Sequence, residues 1–196
     1  AGIVGLEARN CLKALPGVRW NKVRWLLMLA YAVLTCFTLR SVTMALMLAM
    51  SRNVVPACSS LKSGVWDRKK YMGNQLNGKV LGIIGLGRIG MAVAKMAKGF
   101  DMKILGYDPF VPKEPAQKLG VEVTDDLERI FREADYITVH TPKNEQTINM
   151  IGAREIEMMK PTVRLINCAR GGIINEDALY DALEPVSYTH LRAHET

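Results

Sequence analysis

Val80-Leu81-Gly82-Ile83-Ile84 runs straight into Gly85-Leu86-Gly87-Arg88-Ile89-Gly90, and an acidic residue, Asp108, closes the next apolar run eighteen positions after Gly90. A buried strand that turns sharply into a helix, leaving bare amides at the helix N-terminus, is how a chain grips a pyrophosphate. Gly85 is expected to make the tight turn, Gly87 to let phosphates near the main chain, and Gly90 to let the helix pack closely on the strand. Asp108 is placed to accept hydrogen bonds from an adenosine ribose. Its charge repels a ribose 2′-phosphate, so the expected cofactor is NAD rather than NADP.

Outward from this stretch, periods of two kinds alternate. Thr43 to Met50 reads as an apolar helix whose methionines fill core gaps, and Gly64 to Asn77 as a polar connector. After Val80 to Ile84 come a helix with Ile89, Val93 and Met96 on one face, then a strand from Met102 to Tyr107. Thr124 is expected to cap a helix carrying Leu127, Ile130, Phe131 and Ala134, with Asp125 and Asp126 near its positive end. Tyr136 to Val139 and Val163 to Cys168 read as strands, Ala153 to Lys160 as a short helix, and Asn175 as the cap of a last helix with Ala178, Leu179 and Leu183. Strand and helix alternating through short connections predict an α/β fold, a doubly wound parallel sheet of the Rossmann-like type.

Three segments are expected: a leader over 1–40, an NAD-binding domain over 41–184, and a foreign-looking tail over 185–196 that lacks any apolar period. The net charge of +7 is concentrated in the leader. Residues 1–40 hold six basic residues and one acid, whereas 41–184 hold 19 basic and 17 acidic, so no nucleic-acid partner is expected. The four cysteines, Cys11, Cys36, Cys58 and Cys168, have neither zinc-site spacing nor the density of a disulfide scaffold, which suits a reducing, cytoplasmic compartment. Trp25 to Leu39 is fifteen residues long, behind Arg19, Lys22 and Arg24; this is the composition of a signal segment. A membrane span needs roughly 17 to 25 residues, so none is expected.

Asn167-Cys168-Ala169-Arg170-Gly171-Gly172 follows a strand at the edge where open α/β sheets bind ligands. A guanidinium at Arg170 can hold a carboxylate or ketone oxygen and stays charged at any physiological pH. His140-Thr141-Pro142 ends another strand on that edge and is expected to pack against the cofactor; no orienting carboxylate marks His140 as a general base. His190 and His194 stand at i and i+4 without a third ligand, so no metal is expected. Arg68-Lys69-Lys70 reads as a solvated basic face.

Trp66-Asp67-Arg68-Lys69-Lys70-Tyr71-Met72-Gly73, Leu76-Asn77-Gly78-Lys79, Gly106-Tyr107-Asp108-Pro109, His140-Thr141-Pro142 and the Asn167–Gly172 motif together resemble the D-isomer-specific 2-hydroxyacid dehydrogenases, in particular their phosphoglycerate dehydrogenase branch. The resemblance covers about Ser41 to Glu184. It implies NAD-dependent hydride transfer at C2 of 3-phosphoglycerate, the first step of serine biosynthesis, by a protein that is a homo-oligomer at full length. It assigns Arg170 to the substrate's C2 oxygen and carboxylate, Arg88 and Ile89 to the pyrophosphate, Asp108 to the ribose, and Thr141 and Cys168, with Ala169 between Cys168 and Arg170, to the nicotinamide side. Two other readings share the fold: a glyoxylate or hydroxypyruvate reductase, and an NAD-sensing transcriptional corepressor. The segment Trp66 to Gly73 favours the phosphoglycerate branch over both. Residues 1–40 do not resemble the family's substrate domain and read as a mistranslated remnant. The family's acid–base pair of glutamate and histidine lies further along than residue 196, so the chain is expected to be catalytically incomplete.

Overall fold

Parallel strands are buried on both faces and therefore read as nearly unbroken apolar runs, and the strands here do. In a computed structural model, which describes residues 38–183, β1 (Val80–Ile84), β2 (Lys103–Tyr107), β3 (Glu122–Val123), β4 (Tyr136–Val139) and β5 (Arg164–Asn167) form one sheet in the order β3-β2-β1-β4-β5. Every pairing is parallel, with Ile84 opposite both Tyr107 and Val139, and Val139 opposite Asn167. The doubly wound sheet expected from the sequence is present. The leader up to residue 37, the tail over 185–196 with His190 and His194, and Cys11 and Cys36 lie outside the described residues.

Seven helices accompany the sheet among the described residues: α1 (Thr38–Ser51), α2 (Val54–Lys62), α3 (Arg88–Lys98), α4 (Glu114–Lys118), α5 (Leu127–Glu133), α6 (Ala153–Glu157) and α7 (Glu176–Leu183). On one sheet face Met44, Met47 and Met50 of α1 and Val93, Ala94 and Ala97 of α3 pack with Leu81, Ile83, Tyr136 and Ile166. On the other, Ile130 and Phe131 of α5, Ile156 of α6 and Leu179 of α7 pack with Ile84, Ile137, Val139 and Leu165. Burial of this kind stabilises by roughly 25 cal/mol per Å² of apolar surface. No single helix among the described residues is long and apolar enough to cross a membrane.

Because β2 lies on one side of β1 and β4 on the other, the winding reverses between β1 and β4. At such a reversal the connections leave in opposite directions and open a crevice beyond the carboxyl ends of the strands.

Four local expectations are corrected. Thr124 does not cap α5; its Oγ1 accepts from Asp126 N at 3.0 Å in the preceding turn, and Asp126 Oδ1 is the cap, accepting from Glu128 N at 2.9 Å. Helical backbone begins only at Leu127, which puts Asp126 in the extended cap position. Ala134 is buried but falls just past the helix, as its C-cap. Met96 is 36% exposed, because the face of α3 that meets the sheet is Gly90, Val93, Ala94 and Ala97, at i, i+3, i+4 and i+7. The helix from Ala153 stops at Glu157 rather than Lys160. Asn175 does cap α7, its Oδ1 accepting from Ala178 N at 2.9 Å.

Candidate functional site

The glycine turn after β1 is built from three residues with three different reasons. Gly85 has φ +99°, a conformation that penalises any side chain, and a β-carbon on it would come within 2.8 Å of the His140 carbonyl. Its N–H donates to Tyr107 O at 2.8 Å. At Gly90 a β-carbon would come within 2.0 Å of Gly85 O, so only glycine lets α3 approach the turn. Gly87 is different: it is exposed, with φ −66°, and a β-carbon there would meet nothing within 4 Å. The protein's own packing demands glycine at 85 and 90 but leaves free space at 87.

That space lies at the N-terminus of the eleven-residue helix α3, whose N-cap is Gly87. No side chain caps it and no acid stands in its first turn. The positive end of the helix dipole and its first N–H groups therefore face outward, flanked by the exposed Arg88, an arrangement suited to an anion. Ile89 is partly buried against the core and has only its main chain to offer there.

Asp108, at the end of β2, is half-buried and tied into the turn. Its Oδ2 accepts from Leu86 N at 2.8 Å and its Oδ1 from Phe110 N at 2.9 Å. An ionised carboxylate has about four acceptor sites, so both oxygens can still take hydroxyl donors from a ligand.

At the end of β4, His140 N donates to Ile84 O at 2.7 Å, which holds this loop against the glycine turn. The ring Nε2 lies 3.0 Å from Thr138 Oγ1. Burial pushes His140 down to about 4, so its ring is neutral at physiological pH. Thr141 Oγ1 is buried without a hydrogen-bond partner, a costly condition that a bound ligand can relieve. Pro142 is exposed, and its carbonyl accepts from Thr147 Oγ1 at 2.6 Å.

One strand further along the edge, Asn167 shapes the turn that carries Arg170. Asn167 Oδ1 accepts from Ala169 N at 3.0 Å, and its Nδ2 donates to Arg170 O at 2.9 Å. Arg170 is exposed and its guanidinium donates to Ala169 O at 2.7 Å, leaving other N–H groups of the fork facing outward. Cys168 is only 4% exposed and packs into the core on the α1 and α3 face, so its thiol is turned away from solvent.

Hydrogen bonds and the close approach at Gly85 thus bring Gly85, Gly87, Arg88, Ile89, Gly90, Asp108, His140 and Thr141 around the crevice between β1 and β4. Cys168, Ala169 and Arg170 stand beside it in the turn that follows β5. Two residues to which the sequence reading gave no role belong with them: Asn167, legible in retrospect as an Asn two residues before a turn amide, and Thr138. The uncapped helix, the vacant space at Gly87 and the orphaned Thr141 hydroxyl all suit a dinucleotide.

Comparison with known proteins agrees. The chain is 53% identical over 142 residues to a D-3-phosphoglycerate dehydrogenase of Methanocaldococcus jannaschii, covering 72% of this chain and 27% of that protein. With the D-3-phosphoglycerate dehydrogenase of Homo sapiens it shares 44% identity over 142 residues, 72% of this chain and 26% of the other. It spans about a quarter of the length of these curated relatives. Among solved structures, D-lactate dehydrogenase from Aquifex aeolicus complexed with NAD and lactic acid superposes with TM-score 0.74 at 33% identity, covering 79% of this chain and 46% of that one. Residues 44–190 match the NAD binding domain of the D-isomer specific 2-hydroxyacid dehydrogenases, and the chain belongs to that family.

Proposed function

We propose that the carboxyl edge of this sheet binds NAD, and that the protein to which it belongs oxidises C2 of 3-phosphoglycerate, the first step of serine biosynthesis. The observation that carries the reading is the free space at Gly87, set against the tight packing at Gly85 and Gly90. The first amides of α3, with Arg88, would hold the pyrophosphate, and Asp108 would accept the ribose hydroxyls. Thr141 would give its hydroxyl to the nicotinamide side, beside the main chain of His140, Pro142, Cys168 and Ala169. Bound there, the nicotinamide supplies the hydride acceptor. Arg170, permanently charged, would polarise the C2 oxygen and grip the carboxylate. His140 is held neutral and hydrogen-bonded within the fold, which suits packing and orientation rather than proton abstraction. We place the protein in a reducing compartment, the cytoplasm, and propose that it is a homo-oligomer.

Titrating NADH into the chain and following nicotinamide fluorescence tests this reading. Wild type should bind NADH, and should bind NADPH more weakly. Gly87→Val should weaken binding by about tenfold or more, the equivalent of at least one lost hydrogen bond to a charged group. Its thermal midpoint should fall only slightly, by the cost of replacing glycine at the N-cap of α3, because nothing in the protein occupies the space. Failure of wild type to bind, or unchanged affinity in Gly87→Val, would overturn it.

A further inference from the structure

Thr138 occupies a place where the sheet calls for an aliphatic residue. It is fully buried in the middle of β4, and in register it faces Ile83 of β1 on one side and Ile166 of β5 on the other. Tyr136 packs on the α1 and α3 face while Ile137 and Val139 pack on the opposite one, so alternation puts Thr138 and His140 on the side of Tyr136. A hydroxyl buried among isoleucines is unfavourable unless it is hydrogen-bonded. Its bond is to Nε2 of His140, at 3.0 Å.

A neutral imidazole has one N–H donor and one acceptor nitrogen, and which is which depends on the partner. Thr138 has one O–H proton, and among the described residues its hydroxyl makes no hydrogen bond other than the one to His140. Were Nε2–H to donate to Thr138, the threonine proton would be left buried and unbonded. Donation by Thr138 to Nε2 satisfies the buried hydroxyl and leaves only the ring Nδ1–H to find an acceptor, at an atom that is not among the buried orphans. We infer that Thr138 is a positioning residue: its hydroxyl donates to Nε2 of His140 and so fixes the Nδ1–H tautomer, making the ring a donor to an acceptor oxygen of the dinucleotide in the crevice. The cofactor half of this statement rests on the proposed NAD site; the tautomer half does not. His140 itself is only partly exposed at the crevice, and the low proton affinity that burial gives it keeps the ring in the neutral form where tautomers matter.

The test is the pair of His140 ring ¹⁵N chemical shifts in the free chain, with NADH affinity measured alongside for wild type, Thr138→Val and Thr138→Ser. Wild type should show a protonated Nδ1 and an unprotonated Nε2. Thr138→Val, nearly isosteric, should move both shifts toward a tautomer mixture and weaken NADH by about 2- to 10-fold, the range of one neutral hydrogen bond. Thr138→Ser, which keeps the hydroxyl, should restore both. A protonated Nε2 in wild type, or unchanged shifts in Thr138→Val, would overturn the tautomer assignment. Shifts that move while NADH affinity stays the same would overturn the donor role toward the cofactor. A wild type that does not bind NADH at all refutes the cofactor reading and with it that donor role, while the ring shifts still decide the tautomer.

Discussion

The two ends of the sheet treat their polar groups in opposite ways. At the amino end Asp135 joins three strands: its Oδ2 accepts from Val80 N at 2.8 Å, its N–H donates to Val80 O at 2.9 Å, and its carbonyl accepts from Arg164 N at 3.1 Å. Lys160 Nζ donates to its other carboxylate oxygen at 3.0 Å. Nearby, Arg164 donates to the Tyr136 hydroxyl at 3.0 Å and lies 5.2 Å from the centre of that ring. At the carboxyl end the helix start is uncapped, Thr141 Oγ1 is orphaned and Arg170 reaches into solvent. Satisfied polar groups hold a fold in place; unsatisfied ones at a crevice hold capacity for a ligand.

If this contrast is right, substitutions at the carboxyl end should act on binding and those at the amino end on stability. The largest effect is expected for Asp108→Ala, which removes the ribose acceptor and also frees Leu86 N and Phe110 N. NADH affinity should fall by about 10- to 100-fold, as for loss of a charged hydrogen bond, measured by titration. NADP affinity should not rise, because the glycine turn has lost its tie to β2. A simple exchange of cofactor preference would show that Asp108 reads the ribose without supporting the turn.

Gly85→Ala, like Asp108→Ala, should disturb stability as well as binding, given φ +99° and the 2.8 Å approach to His140. A loss of about 1–3 kcal/mol in urea unfolding is expected along with NADH binding weakened less than in Asp108→Ala. Unaltered stability would mean that the turn relaxes freely.

Asp135→Ala should cost about 1–2 kcal/mol, the penalty for leaving the half-buried Val80 amide and Lys160 without their acceptor, with NADH affinity unchanged. Burial opposes ionisation of Asp135, but the Val80 amide and Lys160 outweigh it and hold its carboxyl below the usual range. The stability it contributes is therefore complete above the unfolded value near 3.8 and is lost as pH falls through the lower folded value. His140 adds an acid sensitivity of its own: with a folded value of about 4 against 6.5 unfolded, its burial is without effect on stability above 6.5 and destabilises the native state progressively as pH falls from 6.5 to about 4, where protons bind the unfolded chain first. Replacing His140 by glutamine should flatten the unfolding profile in that interval and leave the Asp135 fall-off in place. The smallest effect is expected for Asp126→Ala, about 1 kcal/mol from a lost helix cap, visible in urea unfolding and absent from NADH titration.

Much of this was legible before any coordinates. Periodicity located all four longer strands, and the spacing of Gly85, Gly87 and Gly90 marked the turn from β1 into α3, because each depends on neighbours close in sequence. What was illegible depends on partners across crossovers. β3 is two residues at a sheet edge and α4 is five residues containing Pro115, too short for a period to show. α2 begins after Asn53 in a left-handed conformation, φ +52°, and buries none of its residues, so no apolar stripe announces it. The bond from Leu86 N to Asp108 spans 22 positions, and the isolation of Thr141 Oγ1 is a property of its surroundings alone. In the sequence Thr138 is simply one residue of a strand; only the fold brings its Oγ1 to 3.0 Å from Nε2 of His140.

The most direct test is an amide ¹H–¹⁵N spectrum of the chain recorded with increasing NAD. Saturable shifts at Gly87, Arg88, Ile89, Asp108 and Thr141, with Asp135, Tyr136 and Arg164 unmoved, are the predicted result. Shifts centred on the amino end, or no shifts at all, would contradict the assignment of the cofactor to the edge between β1 and β4.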